Sequence, residues 1–85
     1  MLYRLYQSGR DIFVSLSDNY KREVYASFII KVRDFQIIKY EFENYKLTPS
    51  TFSMACQFVS GMSLEYLKRN IGKSLSTDNN DFEMS

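Results

Sequence analysis

The chain has 85 residues, of which 25% are charged and 16% aromatic, and its formal net charge at pH 7 is +1. This length allows one domain, and the absence of a long apolar run or an apolar N-terminal segment argues against a membrane span and a secretory signal. The one cysteine, Cys56, has no internal disulfide partner, so we expect a reducing compartment and a cytoplasmic location.

Charge is distributed unevenly along the chain. Residues 1–73 hold all eleven Lys and Arg against seven Asp and Glu, a net charge of +4, whereas residues 74–85 hold three acids and no base, a net charge of −3. The polar, Asn- and Asp-rich end predicts a disordered acidic tail over 74–85, after a single domain over 1–73. A mildly basic body permits contact with nucleic acid or with an acidic protein.

The first half of the chain alternates apolar and polar residues with period two, which is typical of strands with one buried face. We predict strands over 2–6, 11–17, 22–33 and 36–45, separated by turn residues. In the fourth strand, Ile38, Tyr40 and Phe42 are assigned to the apolar face, opposite Lys39, Glu41 and Glu43. The short connections predict an antiparallel meander of three to four strands.

The pattern becomes helical after Lys46, and Thr48-Pro49 is a typical helix start. Gly61 interrupts the helical pattern at a cost of about 1 kcal/mol if it is helical. Alternatively, Ser63 caps a second helix over 64–71 that ends at Gly72. The predicted fold class is therefore α+β: a meander followed by one helix, continuous or broken at Gly61, packed on the sheet.

The residue types needed for common enzyme sites are missing. With no histidine and one cysteine, neither a Ser-His-Asp or Cys-His arrangement nor a clustered zinc site can form. Glu41 and Glu43 share a strand face, but beside Lys39 they are interpreted as solvated charges. We expect no enzymatic activity, no cofactor and no metal.

Ser60–Ile71 resembles the turn and second helix of AraC-like helix-turn-helix regulators. A glycine at the turn, Ser63 as the helix cap, and apolar Leu67 and Ile71 carry the likeness. The resemblance implies a DNA reader that uses Leu64–Lys73 as its recognition helix. Its contact residues would be Ser63, Tyr66, Lys68, Arg69 and Lys73. The alternative is an amphipathic helix, bent near Gly61, that covers the sheet.

The sheet is the second candidate surface, because tyrosines alternate along it with basic residues. Tyrosine and arginine are frequent at protein-interface hot spots, and rings with nearby bases also suit unpaired RNA. The predicted partner-binding residues are Tyr25, Lys31, Arg33, Lys39 and Tyr40. A homodimer is a further prediction, since an edge strand over 2–6 could pair with a second copy.

In its size, its Tyr, Phe, Ile, Asn and Lys bias, and its compact strand-then-helix plan, the chain resembles the small accessory, host-takeover proteins of T4-like phages. That resemblance implies an anti-defence type of inhibitor in the host cytoplasm. The leading hypothesis is a non-catalytic binding protein that blocks a functional surface of a host enzyme, toxin or defence factor, either alone or with the assistance of RNA. The alternative is the small helix-turn-helix DNA-binding regulator.

Overall fold

In a computed structural model, residues 1–76 are described, and they form a five-stranded antiparallel sheet with two short helices on one face. The elements are β1 Leu2–Ser8, β2 Asp11–Ser17, β3 Val24–Arg33, β4 Gln36–Asn44, α1 Pro49–Ser60, α2 Leu64–Arg69 and β5 Ser74–Ser76. The α+β class and the antiparallel meander of four strands are confirmed.

The sheet order is β4-β3-β2-β1-β5, so the last strand crosses to the far edge and pairs with the first. Its register places Ser74 opposite Arg4 and Ser76 opposite Leu2. Residues 74–76 therefore belong to the folded domain and not to the predicted tail, because Leu75 packs against the core. The prediction that β1 is an edge strand free to pair with a copy is wrong for residues 2–4. The rest of the predicted tail, 77–85, lies outside the described residues.

The core lies between the sheet and the helices, and it confirms the period-two alternation. Every second side chain is buried over residues 3–5 of β1, 12–16 of β2 and 26–32 of β3, while the side chains between them face away from the helices. The buried apolar residues are Tyr3, Leu5, Ile12, Val14, Leu16, Ala26, Phe28, Ile30, Val32, Ala55, Val59, Met62 and Leu67. Phe28 is the centre of an aromatic cluster with Phe42 at 5.4 Å and Phe52 at 6.3 Å between ring centroids.

A β-bulge in β4 changes which side chains face the core. Lys31 pairs with Lys39, but Val32 pairs with Ile37, so Ile38 is an extra residue without a cross-strand partner. The predicted assignment of Ile38 to the apolar face is wrong: Ile37 packs on the core and Ile38 is 58% exposed. A bulge of this kind reverses the alternation on one strand only.

The helical region consists of two helices, which decides between the two alternatives at Gly61. The Thr48 hydroxyl accepts a hydrogen bond from the Thr51 N–H at 3.3 Å, with Pro49 as the first helical residue. After α1, the Ser63 hydroxyl accepts from the Tyr66 N–H at 3.1 Å and starts α2, as the sequence predicts. α2 ends at Arg69, two residues before the predicted end at Ile71.

Candidate functional site

The sheet face that turns away from the helices, here called the outer face, carries no covering element among residues 1–76. At its centre, Tyr6, Phe13 and Ile29 stand side by side on three neighbouring strands. Phe13 and Ile29 are half-buried and Tyr6 is 39% exposed. Aromatic and branched side chains in direct cross-strand register contact one another, so the row forms a continuous apolar strip.

Charged side chains surround this strip and largely neutralise one another. The Lys31 ammonium lies 3.4 Å from Asp11 and the Lys39 ammonium lies 3.4 Å from Glu41. The Arg4 guanidinium lies 5.3 Å from the centroid of the Tyr6 ring. Within the described residues, the outward-facing positions of β1 to β4 hold four bases against three acids: Arg4, Lys31, Arg33 and Lys39, and Asp11, Glu41 and Glu43.

Asp11 connects this face to the end of β3 that lies opposite the β4 bulge. Its carboxylate accepts a hydrogen bond from the Val32 N–H at 3.3 Å, and that bond is the largest cause of the lowered pKa of Asp11. The positive charge of Lys31 lowers it further, against the opposing effect of partial desolvation. The ionised carboxylate therefore stabilises the folded chain.

We expect Asp11→Asn to lower the stability of the protein at pH 7. A carboxyl with a depressed pKa contributes stability above its unfolded value, about 3.8, and that contribution is lost as the pH falls through the lower folded value. The urea midpoints of wild type and variant should therefore differ most at neutral pH and converge in acid. A difference that stays constant from pH 7 to pH 2 would contradict this role.

The five predicted partner-binding residues do not form one surface. Tyr25, Lys31 and Lys39 lie on the outer face. Tyr40 is opposite Ile30 on the helix-covered side, where its hydroxyl lies 3.5 Å from the Ser60 carbonyl oxygen. Tyr40 therefore does not share a surface with Tyr25, Lys31 and Lys39, because its side chain is on the same side of the sheet as the core residues. Arg33 has the same outward parity as Lys31, but it is the last residue of β3, beside the β3–β4 turn.

The five residues of the DNA-binding alternative are also dispersed. The Ser63 hydroxyl caps α2, and Tyr66 is next to an apolar groove of about 510 Å³ where the two helices meet. Arg69 and Lys73 are exposed, and the Lys73 carbonyl accepts a hydrogen bond from the Leu5 N–H at 3.2 Å. Lys68 turns instead towards the β3–β4 turn, with its ammonium 5.4 Å from the Phe35 ring centroid.

Lys68 and Arg33, which the sequence assigns to different hypotheses, line the same cleft. This turn-end cleft, of about 490 Å³, lies between the two tight hairpin turns and α2. Its lining residues are Gln7, Gly9, Arg10, Val32, Arg33, Asp34, Phe35 and Lys68. An antiparallel meander places the β1–β2 and β3–β4 turns at the same end of the sheet, and α2 closes the third side.

Phe35 is a candidate site residue that the sequence pattern does not indicate. The β3–β4 loop has two residues, Asp34 and Phe35, with φ of 51° and 63°, where hairpins of this type prefer Asn or Asp followed by Gly. A bulky residue in this left-handed conformation is strained, and Phe35 is also 85% exposed. It thus forgoes about 1.5–3 kcal/mol of burial. The available signal was a two-residue turn with no glycine.

The remaining chemistry of residues 1–76 is sparse. No group of three or more His, Cys, Asp or Glu side chains in that range converges to hold a metal ion. Burial raises the pKa of the half-buried Cys56 thiol. No helix in this part of the chain is long and apolar enough to cross a membrane.

Comparison with known proteins identifies no relative of this chain. No family model matches it, and neither a curated protein nor a solved structure matches it.

Proposed function

We propose that this protein is a non-catalytic binding protein that attaches to a protein partner through the outer face. The observation that carries the proposal is the apolar strip of Tyr6, Phe13 and Ile29, which the helices leave uncovered. Folding buries such residues when it can, so an apolar strip at the centre of an open sheet face favours a partner. Tyrosine and phenylalanine are rigid side chains that contribute strongly to interface affinity.

The charge balance of the outer face indicates the chemistry of the partner. Four bases against three acids give a net charge of +1, and two of the bases are paired with acids, so this face offers little attraction for a polyanion such as RNA. A protein surface with an apolar centre and charges of both signs at its rim is complementary to it. The paired Lys31–Asp11 and Lys39–Glu41 side chains then set orientation more than affinity.

Binding over the strip would act as inhibition when the covered surface of the partner is functional. The resemblance to phage accessory proteins suggests a host enzyme, a toxin or a defence factor as the partner class. A cytoplasmic location fits Cys56, which we expect to remain a reduced, protonated thiol because burial raises its pKa.

Replacing Phe13 and Ile29 together by serine should abolish partner binding. The double variant removes the centre of the apolar strip and leaves the surrounding charges in place. In affinity capture from cells that contain the partner, we expect wild type to retain a protein that this variant loses. Tyr20→Ala is the matched control, because Tyr20 is an exposed aromatic residue in the loop between β2 and β3.

Two measurements make this result specific to the outer face. Each serine is expected to cost about 1 kcal/mol of stability, so a cooperative thermal transition must show that the double variant is folded during capture. Sedimentation of the wild-type protein alone shows whether the outer face binds a second copy of the chain or a different protein. Capture that is unchanged in the double variant, or equally lost in Tyr20→Ala, would exclude the outer face as the docking surface.

The DNA-binding alternative has one specific observation in its favour. α1 and α2 are separate helices joined by a three-residue turn, with Ser63 capping the second, as a helix-turn-helix requires. α2 has six residues and is about 9 Å long, and Leu67 on it is buried. A regulator would bind duplex DNA in preference to single strands, and would lose binding on replacement of Arg69 and Lys73.

A further inference from the structure

The turn-end cleft combines three positive charges with one open aromatic ring. Arg10 comes from the β1–β2 turn, Arg33 from the end of β3 and Lys68 from α2, and all three are exposed. The ion pairs found within residues 1–76 include none of them. With Asp34 as the one acid in the lining, the cleft has a formal charge of +2.

Phe35 projects beside these charges without a folding role that would explain it. Its ring is 85% exposed, and one of its faces is approached by the Lys68 ammonium at 5.4 Å. The turn would adopt the same left-handed geometry more easily with glycine at this position. Strain at an exposed ring beside exposed cations is typical of a binding residue.

We propose that the turn-end cleft binds a short stretch of single-stranded nucleic acid. One base stacks on the Phe35 ring, and the flanking phosphates are held by Arg10, Arg33 and Lys68. An aromatic platform and a basic groove are the two parts that proteins use for unpaired strands. The site is at the turn end of the sheet, next to α2, and does not use the apolar strip of the outer face or its protein partner.

Two other polyanions fit the cleft less well. An acidic peptide would use the three cations but would leave the strained, exposed Phe35 ring without a purpose. Duplex nucleic acid offers phosphates, but its bases are stacked within the helix and are not open to an added ring. Asp34 also favours a base over a bare anion, because its carboxylate can accept a hydrogen bond from an exocyclic amino group.

The test is fluorescence anisotropy with labelled single-stranded DNA and RNA 12-mers of mixed sequence, titrated at several salt concentrations. We expect saturable binding. The logarithm of the association constant should fall linearly with the logarithm of the salt concentration, with a slope of about −1.4 to −2.1 for two or three contacted phosphates. Phe35→Gly should weaken binding about tenfold or more through lost stacking. Its melting temperature should stay level or rise, because the turn strain is relieved.

The matched control is a similar ring and cation at the opposite end of the sheet. Tyr20 is 79% exposed, and the Arg22 guanidinium lies 5.7 Å from its centroid. Tyr20→Ala should leave the affinity unchanged. Replacing both Arg10 and Arg33 by serine should weaken binding and reduce the salt slope, while leaving the stacking effect of Phe35 measurable.

Four results would overturn the proposal. The first is no binding to single strands at low salt, and the second is a loss of affinity in Tyr20→Ala as large as that in Phe35→Gly. The third is tighter binding to duplex than to single strands. The fourth is tighter binding to an acidic 12-residue peptide, with an affinity that Phe35→Gly leaves unchanged. The third, with dependence on Arg69 and Lys73, would support the DNA-binding regulator. The fourth would assign the cleft to acidic peptides.

Discussion

Phe28→Ala should destabilise the protein by about 3–5 kcal/mol. Phe28 has no solvent exposure, and its ring contacts those of Tyr3, Phe42 and Phe52. Truncation of the Phe28 side chain leaves a cavity between the sheet and the helices, and the surrounding elements cannot move together enough to fill it. A domain of this size has a total stability on the order of 4–13 kcal/mol, so the loss is a large fraction of the whole.

Urea unfolding followed by far-UV circular dichroism measures this effect. Ile29→Ala is the matched control, because Ile29 is the next residue on the same strand but is half-exposed on the outer face. We expect it to cost no more than about 1 kcal/mol. If Phe28→Ala is unfolded in water, Phe28→Leu provides a milder version, with a loss of about 1.5 kcal/mol. Equal losses for Phe28→Ala and Ile29→Ala would contradict the assignment of faces.

Ending the chain at Lys73 should destabilise it by about 2–3 kcal/mol relative to a chain that ends at Ser76. The shorter chain lacks β5, and with it the backbone pairing to Leu2–Arg4, at about 1 kcal/mol for each hydrogen bond. It also loses the half-buried Leu75 side chain from the core boundary. The chain that ends at Ser76 is the control, since both variants lack residues 77–85.

Self-association should also differ between the two truncated chains. Without β5, residues 2–4 of β1 have open hydrogen-bonding groups along an edge, and such an edge pairs readily with another chain. We expect the shorter chain to dimerise or aggregate at concentrations where the chain that ends at Ser76 does neither. In the full chain, Leu75→Ala isolates the side-chain contribution. Identical thermal midpoints for the two truncated chains would show that β5 does not contribute to stability.

The first four strands and the helix caps could be predicted because their causes are local. Alternation along β3 requires only that neighbouring side chains point to opposite faces, so Ala26, Phe28 and Ile30 are recognisable as core from the sequence. The Thr48 and Ser63 caps likewise depend on residues three positions ahead. Short connections between strands then require antiparallel neighbours.

The candidate surfaces were less predictable, because each depends on contacts between distant segments. Tyr25, Lys31 and Lys39 share the outer face as the alternation implies, but Tyr40 does not. The apolar strip on that face joins side chains from three strands in one register. The sequence predicts a turn at 34–35, but neither residue is the glycine that such turns prefer, so the left-handed conformation of Asp34 and Phe35 was visible only from their dihedral angles.

The sequence by itself determined the period of each element, the position of the helix caps and the absence of histidine chemistry. The tertiary structure decided three further features: the bulge at Ile38, the pairing of Ser74–Ser76 with β1, and the convergence of Arg10, Phe35 and Lys68 in one cleft. The physical reason is range. A local pattern acts through neighbours along the chain, whereas register shifts, edge pairing and clefts arise only when segments far apart in sequence pack together.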